Sequence, residues 1–321
     1  MYMHKIRRIV LFACVGVFVL TCAGCTGGMK AGASVPDLPE GLQHDNNGIP
    51  VIRLYDTDNE NVEEIDIESY IMGVVAGEMR NDWPIEALKA QAILARTFTM
   101  KFLSSKESRY EGADISTDIH EAQAYDALAV NDRIRKAVEE THGIVMVSEG
   151  EYPHAWFHAH SGGITELPSK ALEYKEDPAY LSVNESPEPD DAPENVKSWT
   201  SEFTLNEVEA ACEAMGVETG AINTFTIGEK GSSGRAVTFV VNGKSVSAPG
   251  FRIQIGASKL KSTLIDSIEI RDGKIYISGR GFGHGVGMSQ WGAYGMARAG
   301  KNYKDIISQY YSDIEFLRLW K

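Results

Sequence analysis

Apolar and polar positions alternate or recur along the chain with periods that divide it into elements. IPVIRLY (Ile49–Tyr55) reads as a first strand. DIESYIMGVV (Asp66–Val75) reads as a helix, with Asp66 a suitable N-cap and Gly77 a suitable stop. A second helix is predicted to begin near Pro84, whose missing N–H is tolerated in a first turn, and to continue through IEALKAQAILARTFTMKFL. There Leu88, Ala92, Ala95, Thr99 and Phe102 fall at three- and four-residue steps and predict one buried stripe, while Lys89 and Arg96 share another face. Gly77–Trp83 makes the corner between the two helices. Ile144–Val147 and Ala155–His160 read as strands. Leu172–Glu194 is acidic and contains Pro178, Pro187, Pro189 and Pro193, which predicts a surface loop. Residues 223–278 are strand-rich, with hairpin signals at Asn242-Gly243 and Asp272-Gly273. Ser289 is placed to cap a helix ending near Ala299, and Tyr303–Tyr310 makes a last short one. This order predicts an α+β fold: a single large mixed domain over residues 49–321, helical in its N-terminal part, strand-rich in the middle and closed by a C-terminal helix.

The N-terminus follows other rules. Lys5, Arg7 and Arg8 precede an apolar run from Ile9 to Ala23, the pattern of an export signal. Residues 1–25 are therefore expected to be a signal peptide or membrane anchor that holds the bulk of the chain outside the cytoplasm. Two anchors stay open. The run is short against the roughly 20 residues of a spanning helix. Ala23-Gly24-Cys25 resembles the end of a bacterial lipoprotein cleavage box, with lipid on Cys25, although Cys22 stands where Leu is usual. Residues 26–48, rich in Gly, Ser, Pro and Asn, read as a linker. Three of the four cysteines lie in the targeting segment, so Cys212 alone belongs to the folded part. That excludes an intramolecular disulfide and a cysteine-based zinc site. The formal charge is −14, and leaving out the +3 of residues 1–25 makes the exported part −17. Nucleic acid is thus not an expected partner.

GRGFGHGVG (Gly279–Gly287) places a glycine at every second position. It has neither the GxxxxGK[ST] nor the GxGxxG spacing of phosphate loops, and GxSxG is absent. If the segment is extended, all five glycines share one face and leave it as bare backbone. Either a flat ligand or another protein segment then approaches that face closely. Elsewhere Glu78 sits at the helix corner among Val75, Met79 and Trp83. Such a setting raises a carboxyl pKa and suits a general acid.

GRGFGHGVGMSQWGAYGMARAGKNYKDIISQYY (Gly279–Tyr311) resembles the C-terminal signature of the stage II sporulation protein D family, which also includes amidase enhancers of bacterial autolysins. VVAGEMRNDWPIEALKAQAILARTF (Val74–Phe98) resembles its N-terminal motif, and AWFHAHSGGITE (Ala155–Glu166) its middle motif, usually FHSTSGGxTE. APGFRIQIG (Ala248–Gly256) fits the stretch before the last strands. Together they cover most of the chain from about residue 50. The resemblance implies a peptidoglycan lytic transglycosylase that works in sporulation on glycan strands, beside an amidase, without a cofactor. It implies Glu78 as the catalytic acid and Arg96 as a holder of substrate. His158, with the Ser161-Gly162-Gly163 turn, would line the sugar groove. His284, Ser289 and Gln290 would be polar contacts to glycan, and Gly287 part of its bare-backbone wall. His154, His158 and His160 raise the question of a metal. No thiolate accompanies them, His160 stands where the family has Thr, and hydrogen bonding without metal is the expectation. A non-catalytic enhancer of an amidase is the competing reading.

Overall fold

A computed structural model of the protein describes residues 35–321. The predicted targeting segment, with Cys25, and the first part of the linker lie outside the described residues. Among the described residues no helix is long and apolar enough to cross a membrane. Both helices and sheets are present, and the sheets are mostly antiparallel. The linker ends in structure: Gln43–His44 pairs antiparallel with Val51 and Pro50. Pro50–Asp56 then pairs antiparallel with Asn61–Asp66 and parallel with Ile115–Ser116. Ile52 and Leu54 are buried while Arg53 between them is exposed, the alternation expected of a strand with one wet face.

Helix α1 spans Ile67–Glu78, capped by the Asp66 carboxylate, which accepts from the Ser69 N–H at 2.9 Å. It runs past Gly77, the predicted stop. Gly77 serves close approach instead. A Cβ there would lie 2.7 Å from the backbone of Ala124 and Tyr125, which cross the end of the helix. Helix α2 spans Ile85–Ser105. All five residues of its predicted stripe are buried, but so are Ala90, Gln91, Ile93, Leu94, Arg96 and Thr97. The burial goes round the helix because α1, helix α3 (Asp132–Glu140), the strand Ile144–Val147 and the helices Gln290–Arg298 and Tyr303–Tyr310 all pack against it. The chain returns to this core at its end, where Glu315–Arg318 pairs antiparallel with Ile144–Val147.

A second core lies within residues 199–277. Two three-stranded antiparallel sheets enclose it: Ile265–Arg271, Lys274–Arg280 and Ser198–Thr204 form one, and Lys244–Ser247, Thr238–Val241 and Phe225–Ile227 the other. Phe225, Phe239 and Phe251 meet edge-to-face at its centre, with ring centroids 5.1–5.5 Å apart. Asn242-Gly243 and Asp272-Gly273 form the predicted hairpin turns, all four residues at positive φ. Two helices belong to this core: Leu205–Ala214 precedes the stretch read as strand-rich, and Ala248–Gln254 interrupts it. Of the predicted strand Ala155–His160, only Phe157–His158 is regular, pairing parallel with Met288–Ser289.

Candidate active site

Glu78 is the last residue of α1 and lines an open cleft of about 460 Å³ formed by Ala76–Asp82. The absent side chain at Gly77 lets the Ala124 segment close in, so that the Ala124 N–H donates to Glu78 Oε1 at 2.8 Å. Gln290 Nε2 lies 3.4 Å from Oε2 on the other side. Burial raises the carboxyl pKa, and these two hydrogen bonds oppose it without cancelling it. No charged side chain contributes to that shift. The nearby carboxylates are engaged elsewhere: Asp82 pairs with Arg80 at 2.8 Å, and Glu86 takes Lys89 at 2.7 Å and the Tyr303 N–H at 2.8 Å. Beside the corner, Trp83 meets Trp291 and Tyr294 with ring centroids 4.7 and 5.0 Å away. Trp291 and Tyr294 are half-buried, so part of each ring faces solvent.

Gln290 reaches Glu78 because Ser289 starts its helix. Ser289 Oγ accepts from the Gly292 N–H at 3.1 Å, the N-cap predicted from sequence. The same hydroxyl donates to Glu188 Oε1 at 2.6 Å. The Glu188 carboxylate, 5% exposed, also accepts from Ser161 Oγ at 2.6 Å, from the Gly163 N–H at 2.8 Å and from the Ser161 N–H. Leu172–Glu194, the predicted surface loop, is thus a strap that inserts a carboxylate between the middle and C-terminal motifs. Sequence reasoning missed Glu188. Its one local signal is a proline on each side, Pro187 and Pro189, which restricts the backbone that presents it.

This network corrects several sequence-based roles. Ser161 is fully buried and spends its hydroxyl on Glu188, so it is a joint of the fold and does not line a groove. Gly162 backs onto Leu264, and of the turn only Gly163 has an open side. Arg96 is also fully buried. It forms a two-pronged ion pair with Glu68, at 3.0 Å from Nε and 2.6 Å from Nη2, and donates to the Ile144 carbonyl at 2.9 Å. Glu68 in turn accepts from the Gly143 N–H and from Trp320 Nε1. Arg96 therefore joins α1, α2 and the C-terminus and does not reach the cleft.

The glycine run leaves the regular strand after Arg280. Gly281, Gly283, Gly285 and Gly287 take φ of +77°, +110°, +84° and +69°, open to glycine and strained for other residues. A Cβ would strike His160 O at Gly281, His158 Cβ at Gly283, the Arg235 guanidinium at Gly285 and Trp156 O at Gly287. Protein, not ligand, closes on these positions, and Gly287 is no wall of a sugar groove. His284 is likewise not at the Glu78 cleft. It lines a separate cavity of about 160 Å³ with Arg252 and Thr263, and its pKa is pushed down to about 3 by burial and by Arg252 and Arg235.

The three clustered histidines diverge. His154 Nε2 meets Tyr174 Oη at 2.8 Å, His158 Nδ1 meets the Val286 carbonyl at 3.1 Å, and His160 Nδ1 accepts from the Gly162 N–H at 3.0 Å. Burial lowers the pKa of each. His158 is buried and packed against the glycine run at Gly283. Among the described residues no three His, Cys, Asp or Glu side chains are grouped to hold a metal ion.

The acid, the Ala124 donor and the strap come from stretches that family models match. A family model described as "Stage II sporulation protein" matches residues 55–147, which include Glu78 and Ala124. A "Domain of unknown function (DUF8618)" matches residues 161–287, including Glu188 and the whole glycine run. The stage II sporulation protein D of Bacillus amyloliquefaciens is 32% identical over 278 residues, 82% of this chain and 78% of that protein. The chain belongs to the stage II sporulation protein D family. The Bacillus subtilis member is 32% identical over 277 residues, covering 81% of this chain and 77% of its own. An amidase enhancer of Bacillus subtilis is 28% identical over 292 residues, 75% of this chain and 39% of that longer protein.

Proposed function

We propose that this family member is a peptidoglycan lytic transglycosylase, acting outside the cytoplasm in wall remodelling during sporulation and held at the membrane by residues 1–25. The observation that carries the reading is Glu78: a carboxyl with a raised pKa, between two hydrogen-bond donors, in an open cleft, with no second carboxylate acting on it. Hydrolases of glycosides usually need two carboxyl groups. A transglycosylase needs one. Protonated Glu78 gives its proton to the oxygen linking N-acetylmuramic acid C1 to N-acetylglucosamine C4. The C1–O bond breaks and the leaving sugar departs with a free hydroxyl. The Glu78 carboxylate then takes the proton of the muramic acid C6 hydroxyl, whose oxygen closes on C1. The 1,6-anhydro ring forms, no water is consumed, and the acid is restored. Gln290 and the Ala124 N–H hold the carboxyl in place through both steps, and the exposed parts of Trp291 and Tyr294 offer flat faces to sugar rings.

Mass spectrometry of digested glycan strands tests this. Anhydro-ended products are expected from wild type, with cleavage falling about 10²–10⁴-fold in Glu78→Gln, the usual worth of a positioned acid or base. Reducing-end products only, or full activity in Glu78→Gln, would sink the reading. The likeness to an amidase enhancer supports a second one, in which the protein binds wall and stimulates an amidase partner without cutting glycan. Amidase stimulation that survives Glu78→Gln, with no cleavage by wild type, selects it.

A further inference from the structure

A second, smaller cleft lies at the far end of α2. Phe98, Lys101, Phe102 and Lys106 line one side, and His154 and Trp156 the other. Its volume is about 70 Å³, against about 30 Å³ for one water in the liquid, so it admits a carboxylate or acetyl group and not a whole sugar. The His154 imidazole lies on the Trp156 indole, 4.6 Å between centroids and 10° from parallel. Tyr174 closes edge-on at 5.0 and 5.2 Å. Burial and the two lysine ammoniums hold the imidazole below its usual pKa, so this wall is an uncharged aromatic surface at neutral pH. Among the described residues neither Lys101 nor Lys106 has a carboxylate partner. Both ammoniums are thus free of ion pairs beside an aromatic face, with Asp37, Glu40 and Glu151 bordering the outer side of Lys101 and Glu107, Glu111 and Asp114 that of Lys106.

The cleft shares a scaffold with Glu78. Trp156 O accepts from the Met288 N–H at 3.1 Å, two residues before Gln290. Lys101 lies about 24 Å along the α2 axis from Ile85, at 1.5 Å per residue. We infer that this cleft is an accessory subsite for a carboxylate-bearing sugar of the wall glycan, with the carboxylate between Lys101 and Lys106 and the apolar face of the sugar against Trp156. It rests on the reading of glycan as substrate. The sugar it takes lies several residues along the strand from the bond at Glu78. Muramic acid stripped of its stem peptide presents such a carboxylate on its lactyl ether; N-acetylglucosamine presents none.

The test measures binding by calorimetry in the Glu78→Gln protein, which separates affinity from cleavage. The ligands are glycan strands stripped of stem peptides and N-acetylglucosamine oligomers of the same length. Adding Lys101→Gln and Lys106→Gln is expected to weaken stripped-glycan binding roughly 2–30-fold, the range two exposed ion pairs supply, and to leave the neutral oligomer unaffected. The loss should vanish at high salt. Lys106 is exposed and Lys101 half-buried at the surface, so an unchanged melting temperature of the double variant checks the fold. Equal affinity of the parent for both ligands, or no loss in the double variant, would overturn the subsite. So would lysine-dependent binding of poly(glycerol phosphate) tighter than that of glycan. Lysine-dependent binding without cleavage by the wild-type protein would instead sink only the transglycosylase reading.

Discussion

At Glu78 a single carboxyl is pulled two ways. Burial favours its neutral form, and the N–H of Ala124 and the amide of Gln290 favour its charged one. Burial is the larger influence, so the folded protein binds this proton more tightly than the unfolded chain does. The sign follows. The neutral carboxyl contributes its stability in full below the unfolded glutamate pKa of about 4.3, and that contribution is lost as pH rises through the folded value. Glutamine carries no charge at any pH and keeps an oxygen for the Ala124 N–H. Glu78→Gln is therefore expected to have a higher urea midpoint than wild type at pH 7–8 and an equal one near pH 4. A variant less stable than wild type at neutral pH would show that the two hydrogen bonds outweigh burial. The corner was legible from the two helix patterns that flank it, and the resemblance to a family motif is what singled out its acid. What held the acid was not, since Ala124 is an ordinary loop residue and contributes only its backbone.

Helix α2 carries the same lesson at the scale of an element. Its apolar period marked one stripe, yet five other elements pack around it and bury much more of the helix than that stripe. Arg96 is tolerated there because Glu68 and the Ile144 carbonyl satisfy its guanidinium. Arg96→Ala strands the Glu68 carboxylate in the core. A loss of about 3–5 kcal/mol is expected, as for removal of one partner from a buried pair. Denaturant unfolding measures it, and the fraction still folded at low temperature should keep the wild-type KM for glycan. A raised KM with unchanged stability would return Arg96 to the substrate. The glycine run shows the limit of strand reasoning. Period-two glycines promised one bare face, but the positive φ values turn the chain at alternate residues and seat it on His158, His160, Trp156 and Arg235. Of the two readings open from sequence, approach by protein is the one observed.

Across the whole molecule, the Glu188 strap joins the middle motif to the helix that presents Gln290. Three hydrogen bonds end on its Oε1 and one on Oε2. An amide offers one acceptor oxygen, so Glu188→Gln turns an NH₂ toward at least one of these donors. A loss of about 1–3 kcal/mol is expected from that mismatch. If the strap positions Gln290, glycan cleavage should fall as well, mainly in kcat, while Glu188→Ala loses both more completely. Stability lost with kcat unchanged would make the strap purely structural. By itself the sequence determined the strand and helix periods, the caps at Asp66 and Ser289, both tight hairpins and the acid at the corner, because each is a local preference of a few neighbouring residues. Only the tertiary structure decided that Arg96 and Ser161 are joints of the fold, held by Glu68 and by Glu188 respectively, that His284 lines another cavity, and that Gln290 meets Glu78. Those outcomes depend on which buried polar groups find partners across the chain, and no local period encodes that pairing.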